Sequence, residues 1–344
     1  MLGNRLGVEQ THPEVRMRGY LRRVGELAPV LTCVALIAFF SLVGKTFLTQ
    51  DNILNILQQN SALAIMAVGI TFVLLCAEID LSIAFMATLS GVLAAFLYVF
   101  LGKVSPGLPE VLRQGIPILA ALVVTGLLGW VSGFCTAWLG LPSFMVTLAM
   151  MLITKGLALR ITKGAPIFEI PWLLKEAGTG SLTLLTVKVP YIFLLASVFL
   201  LAGFLVLRYT RFGRYVYMSG GNRQAAELAG INVRMVTSAC LCICGLSAGI
   251  SGIVLIGRMG SAQAEGLDGM LIDCISAVVL GGTSLFGGRG GIANTVVGLL
   301  TLGVLHNGLN HIDINIYMKE FISGVILLGA LILNVAMTKM KSTN

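Results

Sequence analysis

Asn52 to Ala77 reads NILNILQQNSALAIMAVGITFVLLCA, with no charged side chain. About 20 apolar residues in a helix cross the hydrocarbon core of a bilayer, so this stretch is long enough to span it. Similar charge-free runs occupy Leu27–Gly44, Leu81–Gly102, Gln114–Thr154, Val189–Leu207, Met235–Gly257, Cys274–Gly288, Gly290–Ile312 and Phe321–Thr338. The Gln114–Thr154 run is about twice the length of one span, and Leu139-Gly140-Leu141-Pro142 in its middle reads as a break. The run ending at Gly288 is short, so its helix is expected to begin near Met270 and to include Asp273. The sum is an all-α polytopic membrane protein of about ten spans.

Composition agrees. Of 344 residues 57% are hydrophobic and 11% charged, against about 25% charged in an ordinary soluble domain. Mean hydropathy is +0.94. Lipid as the solvent makes such a surface affordable, because the outside must then be apolar. The net charge of +8 does not point to nucleic acid, since the bases sit between apolar runs and no basic face interleaves aromatics. The seven cysteines show no metal spacing and read as small packing residues. No small-residue cleavage site follows the first apolar run, which is therefore read as a retained span.

Lys and Arg in short loops set orientation. Arg208, Arg211, Arg214, Arg223 and Arg234 crowd one segment, with Glu227 its single acid. Arg16, Arg18, Arg22 and Arg23 precede the first span, and Lys339 and Lys341 follow the last. An even span count puts all three clusters, and both termini, in the cytoplasm. Residues 1–26 are then a cytoplasmic basic N-terminus and residues 208–236 a cytoplasmic loop. Ile161 to Lys188 falls outside as the longest external loop. Five spans precede Val189 and five begin at or after it, so the halves would be inverted relative to each other. Residues 1–344 form a single transmembrane domain, because no loop is long enough for a soluble one. Energy for transport must come from an ion gradient or from another subunit.

The basic loop reads RFGRYVYMSGGNRQAAELAGINVRMV from Arg211 to Val236. Ser219-Gly220-Gly221-Asn222 is expected to be a turn leading into a helix N-terminus. RQAAELAG then gives a short helix with Gly230 as its C-cap. Such a helix at the cytoplasmic surface suits docking by another protein, although a basic loop serving orientation alone has the same composition.

Gln224-Ala225-Ala226-x-x-x-Gly230 is similar to the motif that ABC importer permeases present to their ATPase subunits. The chain as a whole resembles the ribose/monosaccharide branch of ABC permeases, typified by the ribose, xylose and galactose permeases. The matching stretches are Thr46–Leu75, Glu78–Ser82, Leu141–Leu159, Thr210–Val233, Gly245–Leu255 and Ala277–Gly291. The resemblance implies a partner ATPase that binds ATP and magnesium, a periplasmic or surface-anchored sugar-binding protein, and a second permease copy. It makes Gly220, Gly221, Asn222, Gln224, Ala225, Ala226, Glu227 and Gly230 the coupling segment. Bulky residues at Gly221 or Gly230 are then expected to uncouple ATP hydrolysis from uptake. The chain itself needs no cofactor: Gly282 to Arg289 has glycines at phosphate-loop spacing but lacks the Lys-Ser/Thr pair. The chain departs from the family's pattern at Glu78 and Ala84, where glycines are usual, and at Leu271.

Glu78, Asp80 and Asp273 lie between or at the start of apolar runs. A carboxylate at the bilayer centre costs about 2.5–3.5 kcal/mol. Asp80 or Ser82 is expected to cap the following helix, with water reaching the carboxylates; a gate or solute ligand is the functional alternative. A sugar path needs uncharged hydrogen-bonding groups. Gln58, Gln59, Asn60, Thr71, Thr147, Asn294, Asn307 and Asn310 supply them, with helix–helix hydrogen bonding as the competing use. Gly245-x-x-x-Gly249 is a close-approach motif, read as packing within the chain or as a contact between two permeases. His306 and His311 are spaced too poorly to hold a metal together. The alternative to an importer subunit is a self-sufficient proton- or sodium-coupled carrier working through Glu78, Asp80 or Asp273. An intramembrane enzyme is disfavoured, since neither a His-Glu-x-x-His nor a Gly-x-Ser-x-Gly motif is present.

Overall fold

The computed structural model describes residues 13–44, 46–184, 187–312, 314, 315, 317–326, 328, 329 and 332. Helix follows helix: α1 (Pro13–Val43), α2 (Gln50–Leu75), α3 (Ile83–Val104), α4 (Glu110–Ala137), α5 (Ser143–Thr162) and α6 (Trp172–Thr179). A small antiparallel hairpin comes next, β1 (Ser181–Leu184) paired with β2 (Val187–Pro190), Ser181 opposite Pro190. Then come α7 (Tyr191–Tyr209), α8 (Arg211–Gly221), α9 (Arg223–Leu228), α10 (Val233–Met259), α11 (Asp268–Leu280) and α12 (Ile292–His311). Among the described residues seven helices are long and apolar enough to cross a membrane: α2, α3, α4, α5, α7, α10 and α12. The apolar part of α1, Leu27–Val43, is shorter, and α11 has 13 residues. Half of the expected final span, Phe321–Thr338, lies outside the described residues, and Lys339 and Lys341 lie wholly outside them.

Local chemistry sets the boundaries. Pro109, Pro142, Pro171 and Pro190 immediately precede α4, α5, α6 and α7, where a missing N–H and a fixed φ cost nothing. The expected break in the long run is where α4 gives way to α5, with Gly140 at φ +71. α5 runs eight residues past the end of its charge-free run, carrying Lys155 inside the helix. Gly260, at φ +72, ends α10.

α2 and α10 are the most enclosed of the long helices, while α4, α5 and α7 show most of their surface. α10 packs on α2, α3, α4 and α6. Its approach to α4 is backbone to backbone: a Cβ on Gly129 would meet the Gly245 Cα at 3.1 Å, and one on Gly133 would meet the Ser238 Cα at 2.6 Å. Gly245 and Gly249 thus pack inside the chain against Thr125 and Gly129, and a contact between copies is not available to them. Cys76, Cys240, Cys244 and Cys274 are buried in the same core, as expected of packing residues, with the Cys76 and Cys240 sulfurs 3.3 Å apart.

The long expected loop after α5 is partly structured. α6 lies against the C-terminal end of α10, and Ile167 pairs with Ala262 in an isolated bridge. α8 and α9 lie by its N-terminal end. α10 is about 40 Å long, so these two assemblies sit on opposite ends of the bundle. Near the α8–α9 end Trp130, Phe134 and Trp138 stack along α4, and the Arg234 guanidinium lies 5.6 Å from the Trp138 ring centroid. Aromatic and basic residues together are the usual furniture of a membrane–water interface.

Candidate functional site

Three connections meet at that end: residues 76–82 between α2 and α3, the α8–α9 segment, and residues 281–291 between α11 and α12. Thr210 caps α8 through the Gly213 N–H at 3.1 Å. Ser219, Gly220 and Gly221 are the last residues of α8 and not the expected turn. The reason is packing. Gly220 presses on the Leu75 carbonyl, and an added Cβ would lie 3.0 Å from the Gly288 nitrogen. The Gly288 N–H donates to that same Leu75 carbonyl at 3.0 Å. The Tyr217 hydroxyl donates to the Gly290 carbonyl at 2.8 Å. The glycine string after Gly282 therefore serves as a tight connection, with Gly287, Gly288, Gly290 and Gly291 all at positive φ.

The chain turns at Asn222, whose side-chain oxygen accepts the Ala225 N–H at 3.0 Å and starts α9. Ala226 is the buried residue of α9, while Arg223, Gln224, Ala225, Glu227 and Leu228 face outward. Gly230, at φ +79, ends the segment as expected of a C-cap. Nothing lies within 4 Å of a Cβ placed there, and at Gly221 the nearest atom is 4.0 Å away. Of Gly220, Gly221 and Gly230, Gly220 is the one in tight contact.

The acids of the 76–82 connection have separate fates. Glu78 Oε1 lies 3.3 Å from Arg223 Nη1. Burial pushes its carboxyl above the usual range, and the Ser143 hydroxyl and the Arg223 charge pull it back. Asp80 is 1% exposed, so the expected water access is closed. Its Oδ1 accepts both the Ser82 N–H at 2.8 Å and the Ser82 hydroxyl at 2.6 Å. Its Oδ2 has no well-formed hydrogen bond, with the Cys244 thiol alongside the carboxyl. Ser82 occupies the N-cap position of α3 without capping through its own side chain. Ser143 and Thr147 of α5 accept the Ile79 and Leu81 N–H groups at 3.1 Å, which fixes the connection from its other side.

The remaining polar candidates are scattered. Gln58, Gln59 and Asn60 lie about 24 Å up α2 from Leu75. Gln59 donates to Asn55 at 2.8 Å, and Asn60 donates to the Ile56 carbonyl at 2.7 Å. Asn60 and Ser61 border an otherwise apolar crevice of about 90 Å³ between α2, α7 and α12. Asn307 exchanges two 2.9 Å hydrogen bonds with Asn52, a buried amide pair tying α12 to α2. Asn294 donates to the Gly281 carbonyl at 3.1 Å. Thr71 pairs with Thr295 at 2.7 Å, and Asn310 accepts from Lys319 at 3.2 Å. Asp273 is half-buried on α11.

One feature escaped the sequence. Lys155 sits well inside α5, half-buried, its Nζ 5.7 Å from the Phe85 ring centroid. Its one sequence signal is the interruption it makes in an apolar run.

Comparison with known proteins gives the family. Residues 52–331 match the family model described as "Branched-chain amino acid transport system / permease component". The chain is 37% identical over 313 residues to the "Ribose import permease protein RbsC" of Escherichia coli (strain K12), covering 90% of this chain and 93% of that protein. To the protein of the same name from Bacillus subtilis (strain 168) it is 34% identical over 309 residues, covering 90% and 92%. To the "Xylose transport system permease protein XylH" of Escherichia coli (strain K12) it is 31% identical over 371 residues, covering 91% and 92%. It is accordingly a multi-pass transport subunit of the bacterial cytoplasmic (inner) membrane, of a class that works with an ATPase and a binding protein. The chain belongs to this permease-component family, and within it to the ribose/monosaccharide branch of ABC permeases.

Proposed function

We propose that this chain is the membrane-spanning permease of an ATP-binding-cassette importer for a monosaccharide or related small polar solute. A binding protein delivers the solute, and a separate ATPase subunit, holding ATP and magnesium, supplies the energy; this chain carries no nucleotide site of its own. One observation carries the reading: α9 is a short capped helix, exposed on most of its surface, and α8 just before it rests through Gly220 on the end of α2. That is the form of a docking knob. Residues 220–230 are the coupling segment, and two permease copies enclose the path. The seven long apolar helices, with the apolar part of α1, α11 and the helical residues 317–326, support ten spans in one domain, with both termini cytoplasmic and the five-span halves inverted.

Asp80, Ser82 and Asn294 belong to the cytoplasmic end of that path, and Gln58, Gln59, Asn60 and Asp273 to its outer half, beside the Asn52–Asn307 pair that holds α12 to α2. Sugar is favoured over amino acid by the names of the nearly full-length relatives. Purification from mild detergent is expected to bring down an ATPase and a binding protein. Proteoliposomes holding that complex should take up ribose or xylose with ATP and should leave leucine outside. Uptake that survives ATP depletion and is lost in Asp80→Asn would instead establish the ion-coupled carrier.

A further inference from the structure

Glu78 and Arg223 are 145 residues apart in the chain, and their side chains meet at 3.3 Å. The Glu78 side chain is 13% exposed and that of Arg223 48%. Arg223 is the first residue of α9 and also reaches Glu227 at 3.8 Å. Glu78 is held by its backbone: its own N–H donates to the Val73 carbonyl at 3.1 Å, and the next N–H, of Ile79, donates to Ser143. Asp80 then accepts the N–H of Ser82, the residue just before α3. The pair thus joins the exposed helix directly to the connection that starts α3.

Other contacts between the same regions are Gly220 resting on the Leu75 carbonyl and Phe72 of α2 stacked on Phe212 of α8, ring centroids 6.1 Å apart. A close contact of that kind transmits a push and gives way to a pull. An ion pair resists separation. We propose that the Glu78–Arg223 pair is the link through which outward movement of α9 is passed to the α2–α3 connection, so that Arg223 is a positioning residue for transport. The proposal rests on α8–α9 being the coupling segment. A pair this exposed shifts an equilibrium by about two- to five-fold.

The test has two arms. In the first, the purified full-length chain in detergent is followed by hydrogen exchange. Glu78→Gln and Arg223→Gln should each speed exchange at residues 77–82 about two- to five-fold. The exchanged pair, Glu78→Arg with Arg223→Glu, should slow it again. In the second, the complex with its ATPase and binding protein is placed in proteoliposomes. Each single variant should lower ribose taken up per ATP hydrolysed about two- to five-fold, and the exchanged pair should restore it. Unchanged exchange in the single variants, or no recovery in the double, overturns the link. Altered exchange with an unchanged uptake ratio overturns its role in transmission. If the unaltered complex shows no ATP-driven uptake, the permease reading falls and the transmission role with it, while the first arm still judges the ion pair.

Discussion

At its C-terminal end α10 is pinned by backbone. Gly257 lies against the Leu174 carbonyl, and a Cβ on Gly178 would meet the Gly257 carbonyl carbon at 2.5 Å. Ile167 and Ala262 exchange hydrogen bonds of 2.9 and 2.8 Å beside this crossing. At its N-terminal end a backbone contact, Ser238 against Gly133 of α4, is joined by polar ones. Asn232 caps α10 through the Met235 N–H, and beyond it come the Asn222 cap and the Glu78–Arg223 pair. Both ends carry a close backbone contact, and the N-terminal one is joined by polar contacts that can be exchanged for a partner protein's. A helix held in this way is suited to be driven from its N-terminal end.

The largest effect is therefore expected at the pinned end. Gly257→Val drives a branched side chain into the Leu174 carbonyl. Overpacking costs about 1–3 kcal/mol, and more where only backbone is available to move. Gel filtration in detergent should show little monodisperse protein. Gly156→Ala on α5 is the control, because nothing lies within 4 Å of its Cβ. Recovery of Gly257→Val protein with an unchanged melting temperature would remove the distinction between the two ends.

A smaller effect is expected at the driven end. Gly220→Ala places a methyl against the Leu75 carbonyl and 3.0 Å from the Gly288 nitrogen, while the neighbouring Gly221→Ala meets nothing closer than 4.0 Å. Gly220→Ala should cost about 1–3 kcal/mol by displacing the end of α2. It should lower uptake while the ATPase still co-purifies. Gly221→Ala should be neutral or slightly stabilising, since alanine favours a helix by about 1 kcal/mol over glycine. Equal losses in the two variants would show that Gly220 is not the bearing surface.

The sequence made the spans legible because charge-free runs of bilayer length have few alternative uses. The break at Gly140 and the cap at Gly230 were legible because glycine marks positive φ. The turn expected at Ser219–Asn222 was misplaced because two glycines signal a turn locally, whereas Gly220 packs on Leu75, far off in the chain, at the end of a continuing helix. Seating α6 on α10, pairing Asn52 with Asn307 and pairing Glu78 with Arg223 all depend on tertiary neighbours that no local pattern encodes. The polar path candidates show the same limit: composition supplies the groups, and only packing decides that Asn307 is spent on Asn52.

The finest test sets one cap against another. Asn222 and Asn232 each accept a backbone N–H at 3.0 Å. Replacing either by alanine removes the same kind of bond, worth about 1 kcal/mol. The surroundings differ. α10 has 27 residues and a buried face, so losing its cap frays one turn. α9 has six residues, far fewer than a helix needs to persist alone, and Ala226 is its buried residue. Its cap is a large share of what orders it. Asn222→Ala is therefore expected to weaken ATPase binding about five-fold, since 1.4 kcal/mol corresponds to tenfold. Asn222→Asp, which keeps an acceptor, should retain binding, and Asn232→Ala should leave the affinity within about two-fold. Binding of the purified ATPase to nanodisc-embedded variants reads all three. An equal loss in Asn222→Ala and Asn232→Ala would mean that both caps belong to one unit, and that α9 is no more exchangeable than the helix it precedes.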